Sequence, residues 1–185
     1  MSTTPKKSFY DLLNSDSQGD MASTLSSKLV NLRRESLANI LSDFENSAHK
    51  LEYVTTLDGV DFINDSRSTN PNAVWFALES MKKPTVWIMS INELESINQS
   101  LADLINKKVK TIIILGVYSS AIVDFYKSLK KEVFLAMNLE EAVRTAFYAA
   151  QDGDCVLFSP GVVSGGIHKT YRERGDQFKK AVAQL

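Results

Sequence analysis

Thr111-Ile112-Ile113-Ile114-Leu115-Gly116 decides how the rest of the chain is read. Four apolar residues in succession leave no polar face, so a strand here must be covered on both sides. Val86-Trp87-Ile88-Met89 and Val156-Leu157-Phe158 repeat the pattern. Between such runs the period changes from strand-like to helix-like. A helix opens at Pro71, where a missing N–H costs nothing at the first position, and carries Val74, Trp75, Leu78 and Met81 on one face. The alternation then predicts strand Thr85–Met89, helix Glu93–Asn106, strand Thr111–Gly116 and helix Ser119–Lys130. Strand Val133–Met137, helix Leu139–Gln151, strand Cys155–Ser159 and helix Thr170–Gln184 follow.

Upstream, Leu51–Thr56 and Val60–Asn64 are strand-like and meet through Leu57-Asp58-Gly59, where Asp-Gly tolerates positive φ and favours a hairpin. The whole is an α/β pattern: a three-layer, Rossmann-like, mostly parallel sheet with helices on both faces and an edge β-hairpin. Residues 49–185 form that domain. Residues 1–28, rich in Ser and Thr, read as a flexible N-terminal arm. Residues 29–48 read as a helical lead-in, with Leu37, Ile40, Leu41 and Phe44 on one face.

Composition narrows the function. The 185 residues hold 21 Lys plus Arg against 22 Asp plus Glu, so no basic surplus supports a nucleic-acid binder. A single cysteine excludes an intrachain disulfide, and two distant histidines, His49 and His168, argue against a metal centre. No secretory leader follows Lys6-Lys7, and Ile112–Val117 is far too short to span a bilayer, so no membrane partner and a cytoplasmic location are expected.

Ligands of such sheets sit beyond the carboxyl ends of the strands, which singles out loops Asp65–Asn70, Ser90–Glu93, Gly116–Ser119 and Ser159–Lys169. In the first, Asn64-Asp65-Ser66-Arg67-Ser68-Thr69-Asn70-Pro71 runs from a strand straight into a helix N-terminus. Arg67 and free N–H groups there suit a phosphate or carboxylate. The plainer reading is that Asn70 or Thr69 caps the helix. In the last loop, Gly161, Gly165 and Gly166 let the backbone approach a ligand, with Ser159, Ser164, His168 and Lys169 as polar contacts. A Ser-His-Asp arrangement of Ser159 or Ser164, His168 and Asp65 lacks any G-x-S-x-G elbow and is discounted. Cys155 reads as a core residue, and the charges of Tyr171–Asp176 as a solvated helix face. Neither a G-x-x-x-x-G-K-[ST] phosphate loop nor a G-x-G-x-x-G fingerprint occurs.

His49-Lys50-Leu51-Glu52 and Asn64-Asp65-Ser66-Arg67-Ser68-Thr69-Asn70-Pro71 resemble the H-R-x-E and N-D-S-K-A-T-N-P signatures of the Mur ligases. Asp152-Gly153-Asp154 through Ser159-Pro160 to Ser164, then Glu173-Arg174-Gly175-Asp176-Gln177-Phe178, resemble two further signatures of the carboxyl-terminal domain. The resemblance covers about Asn31 to Leu185 and is strongest to the D-glutamate-adding members. It implies ATP-dependent joining of an amino acid to a peptidoglycan precursor through an acyl phosphate. It also implies that Lys50 stands for an arginine near the nucleotide and Asp65 for the aspartate reaching the ribose. Arg67 and Thr69 would lie beside the amino-acid substrate, with Ser164 and Tyr171 at the D-glutamate pocket.

Departures from the pattern shape the functional expectation. The loop that should read G-G-x-D-K is Met89-Ser90-Ile91-Asn92-Glu93, without its lysine. Arginine and lysine exchange places at Lys50 and Arg67, which is not neutral where a fork or a point charge sets geometry. The expectation is a module that is not catalytic by itself, with no catalytic residue of its own and a binding or regulatory role in precursor metabolism. It would need no cofactor alone, ATP and Mg²⁺ entering only if a partner chain completes a ligase. A small anionic ligand is the other expected partner. The alternatives are a detached piece of a ligase and an unrelated small-molecule or nucleotide-binding module. Oligomeric state is not legible.

Overall fold

The computed structural model describes residues 47–165 and 168–185. The expected arm and all but the end of the lead-in, with the helix expected at Leu29–Glu45, lie outside them. Strands β1 (Glu52–Leu57) and β2 (Val60–Asn64) form the antiparallel hairpin. At its turn Asp58 and Gly59 both take positive φ, 48° and 78°, the geometry of the tight hairpin turns. Helix α1 (Pro71–Ser80), β3 (Thr85–Met89), α2 (Gln99–Lys108), β4 (Val109–Leu115) and α3 (Ser120–Ser128) follow. Then come β5 (Glu132–Ala136), α4 (Leu139–Ala149), β6 (Cys155–Phe158) and α5 (Tyr171–Val182).

The sheet order is β1-β2-β6-β3-β4-β5, parallel except at β1. Helix α4 carries the chain back from edge strand β5 to β6, which slots between β2 and β3. The continuous apolar strands are two-faced, as their lack of alternation requires. Trp87, Met89, Ile112, Ile114 and Leu157 pack under α1, α2 and α3. Val86, Ile88, Ile113, Val156 and Phe158 pack under α4 and α5. Phe158 stacks on Phe178 of α5 with ring centroids 5.0 Å apart. Among the described residues no helix is long and apolar enough to cross a membrane.

Two expected elements differ. The helix expected at Glu93–Asn106 is a single 3₁₀ turn at Leu94–Ser96, followed by α2, because Asn98 accepts the Leu101 N–H at 2.9 Å and starts the helix there. Strand β4 begins at Val109 rather than Thr111. Lys110 is tolerated inside it because its ammonium reaches Asp154 Oδ2 at 2.6 Å.

Candidate functional site

The carboxyl ends of β2 and β6 carry the two polar loops, and the fold ties them together. Gly161 N–H donates to Ser68 O at 3.0 Å, and Ser66 Oγ to Tyr171 O at 2.9 Å. Gly161 takes φ 73°, and a Cβ there would lie 2.6 Å from Ile91, so glycine is required for this approach.

Beneath the loops lies a closed polar centre. Asp65 is fully buried, its N–H bound to Phe158 O at 2.8 Å. Its carboxylate accepts from Ser68 Oγ, from Ser159 Oγ at 2.8 Å and from Leu51 N–H at 3.3 Å, with Lys50 Nζ 3.2 Å away. Burial pushes the Asp65 carboxyl above the ordinary aspartate range, against Lys50 and the two hydroxyls. A carboxyl raised on folding holds its proton more tightly in the folded state. Its contribution is therefore full below the unfolded pKa and lost as pH rises through the folded one. Asp65→Asn is expected to flatten the stability profile as pH rises above the ordinary aspartate range, measured by denaturant unfolding. An unchanged profile would contradict the assignment.

A second buried polar group surrounds His49. This residue and Leu51 take left-handed φ of 67° and 47°, a costly conformation without glycine. Neighbours hold it: Arg67 N–H donates to His49 O at 3.0 Å, and Asn64 Nδ2 lies 3.1 Å from His49 Nδ1. Asn64 also donates to Glu52 Oε2 at 2.9 Å. Burial works to raise the Glu52 carboxyl, but the His49 N–H, Lys179 and Asn64 outweigh it and hold it below the usual range.

The exposed part of the edge is cationic and aromatic. The Arg67 guanidinium is anchored to Ser47 Oγ at 3.2 Å and lies 5.9 Å from the centre of the Tyr171 ring. Arg172 lies 5.6 Å from the same ring. Asn70 caps α1, accepting the Ala73 N–H at 2.9 Å, and Thr69 beside it is half-buried. Thus the structure joins Arg67 and Tyr171, brings Lys50, Asp65 and Ser159 into one buried cluster, and seats Asn70 as a plain cap.

The remaining candidates separate. His168 pairs with Gln177, so Ser159, Asp65 and His168 form no triad. Ser164 Oγ is buried without a partner among the described residues, and Lys169 contributes its N–H to Glu173 at 2.8 Å. Gly165 is exposed with open space around it, while Gly166 lies outside the described residues. Cys155 is core, its thiol pushed up to about 12 chiefly by burial.

Arg174 corrects the expectation of a solvated face on α5: it is buried, donating from Nη2 to Ser66 O at 2.8 Å and Val162 O at 3.1 Å. The His49–Asn64–Glu52 network was missed as a unit, although all three residues fall in the two stretches that carry the family resemblance. At the opposite, amino edge Lys82, Lys83, Lys107, Lys108, Lys110 and Lys131 surround a depression of about 530 Å³. Several serve the fold: Lys83 pairs with Asp61 at 2.6 Å, and Lys108 and Lys131 donate to carbonyls at helix ends. Among the described residues no three His, Cys, Asp or Glu side chains gather into a metal-binding group.

Residues 49–162 match the family described as Mur ligase, glutamate ligase domain. The chain is 37% identical over 165 residues to the UDP-N-acetylmuramoylalanine--D-glutamate ligase of Christiangramia forsetii, covering 89% of this chain and 37% of that one. It is 35% identical to the enzyme of the same name from Porphyromonas gingivalis, with the same coverage. It therefore spans little more than a third of these relatives. Among solved structures, UDP-N-acetylmuramate-alanine ligase from Thermotoga maritima matches with a TM-score of 0.51 at 19% identity, over 77% of this chain and 31% of that one. Folylpolyglutamate synthase from Mycobacterium tuberculosis, complexed with ADP, matches at 0.52 and 12%, over 72% and 32%. These likenesses carry the fold.

Proposed function

Because the chain belongs to the Mur ligase family through its glutamate ligase domain, we propose that these residues form a binding module of peptidoglycan-precursor ligation that does not turn over ATP by itself. The enclosed Lys50–Asp65 pair carries this reading. Asp65 has no exposure, and Lys50, Ser68, Ser159 and the Leu51 N–H already occupy its oxygens, so it presents nothing to a ribose hydroxyl. Lys50 is spent on Asp65 and Ser68 Oγ, the latter at 3.2 Å. The residues as arranged do not fit a nucleotide. The 185 residues also contain no phosphate loop to cradle the phosphates that acyl-phosphate chemistry needs. The substrates in the relatives' names, a muramoylalanine nucleotide and D-glutamate, support a role in peptidoglycan-precursor metabolism.

The test is ATP turnover by the homogeneous 185-residue chain, with Mg²⁺, D-glutamate and the muramoylalanine nucleotide present. No turnover is expected, and sustained turnover would overturn the proposal.

A second reading, a ligase completed by another chain that supplies ATP and Mg²⁺ sites, is favoured by the exposed Arg67 and Arg172 on either side of the half-buried Tyr171. That cluster is an open cationic edge on which an anion can be presented. On either reading, Arg67→Ala is expected to weaken phosphate binding at this edge.

A further inference from the structure

Arg174 is 5% exposed, yet no carboxylate among the described residues pairs with it. Its two hydrogen bonds both leave from Nη2 and go to neutral carbonyls. Nε is buried, and neither it nor Nη1 has an acceptor among the described residues. A guanidinium carries five N–H donors and is costly to bury without a counter-charge. Burial lowers its affinity for the proton to a pKa of about 10.

This side chain lines a cleft of about 330 Å³ at the carboxyl edge of the sheet, among the loops after β3, β4, β5 and β6 and the amino-terminal parts of α4 and α5. Three apolar residues at the cleft, Val117, Met137 and Val163, are 84%, 75% and 74% exposed. Each comes from a different loop, after β4, β5 and β6. Gln177, which lines the cleft, donates from Nε2 to Glu140 Oε1 at the start of α4 at 2.8 Å. The other face of Gln177 meets His168. A cationic floor with an apolar rim suits a ligand with an anionic head and an apolar body. The volume lies at the small end of ligand pockets.

We propose that this cleft is a second binding site, for a small organic anion whose carboxylate or phosphate meets Arg174 and whose apolar body lies on Val117, Met137 and Val163. It does not depend on the cluster at Arg67, nor on the reading of the chain as a ligation module. The charged head explains the unmatched guanidinium, and the apolar body explains three exposed side chains converging from separate loops.

The experiment is an NMR titration of the full chain with hexanoate, hexyl phosphate, hexanamide and inorganic phosphate. Saturable shifts at Val117, Met137, Val163 and Gly165 are expected with hexanoate or hexyl phosphate, and the tighter of the two identifies the head group. Hexanamide, which lacks the charge, and inorganic phosphate, which lacks the body, are each expected to bind at least tenfold more weakly. Arg174→Gln removes the cation but also frees Ser66 O and Val162 O, so Met137→Asp on the exposed rim is the companion variant. It is expected to weaken the better anion at least tenfold without moving the unfolding midpoint. Hexanamide or inorganic phosphate binding as tightly as the anions would overturn the proposal. So would shifts that map to Arg67 and Tyr171 instead, a Met137→Asp protein that binds normally, or no saturable binding.

Discussion

Trp87→Ala is expected to bring the protein close to unfolding. The indole is fully buried on β3, edge-on to Tyr126 with ring centroids 6.1 Å apart. Removing such a ring costs about 3–5 kcal/mol, because the cavity collapses only in part. The same side chain donates Nε1–H to Ser159 O at 2.8 Å, and Ser159 Oγ in turn holds Asp65. Leaving that buried carbonyl without its donor adds about 1–3 kcal/mol. The sum rivals the whole stability of an ordinary domain, about 5–15 kcal/mol. Trp87→Phe keeps most of the packing and drops the N–H, so it is expected to show mainly the smaller component. Denaturant midpoints with an unchanged slope check both, and a loss under about 1 kcal/mol in the alanine variant would contradict this packing.

Gly175→Ala is the second large effect, and its sign makes it diagnostic. In an exposed helix interior this change ordinarily stabilises by about 1 kcal/mol. In α5, however, a Cβ at this position would run into His49 Nδ1 and Ser66 Oγ and lie 3.0 Å from Asn64 Nδ2. None of these yields freely: Ser66 Oγ is bound to Tyr171 O, and Asn64 to Glu52 and His49. Overpacking of this kind costs about 1–3 kcal/mol, and severing the polar bonds adds to it, so a net loss of about 2–3 kcal/mol is expected. His49→Ala in the same chain should recover part of the loss. A stabilised Gly175→Ala protein would mean that α5 does not press on the His49 loop.

How far the sequence carried this account depends on what burial does to each residue type. The parallel strands were legible because Ile112–Leu115 and Val86–Met89 have no polar face, and only a covered sheet accommodates such a run. The loop at Asp65–Asn70 stood out because six further polar residues exceed what a cap needs, and the structure spends Asn64, Asp65, Ser66 and Ser68 on a buried polar centre. That Asp65 lies fully inside was not legible, since an aspartate in a polar loop looks the same whether exposed or enclosed. Arg174 was hidden in a charged run whose other members do face solvent. The lysines of the amino edge were hidden differently: they are spread from Lys82 to Lys131, and the strand order alone collects them.

The charges at the exposed edge limit what it can hold. D-glutamate needs a matched cation for each carboxylate, because desolvating an unpaired one costs several kcal/mol. Arg67 and Tyr171 offer one cationic position, while the loop after β3 presents Ser90, Ile91, Asn92 and an exposed Glu93 in place of a second. Placing lysine at each of those four positions in turn asks whether that one charge is all that is missing. Titration calorimetry of D-glutamate into the purified chain is the most direct measurement. A dissociation constant in the millimolar range or weaker, about −4 kcal/mol or less favourable, is the expected result. Micromolar affinity would contradict the reading of a module that is inactive by itself, and would support a ligase completed by a second chain.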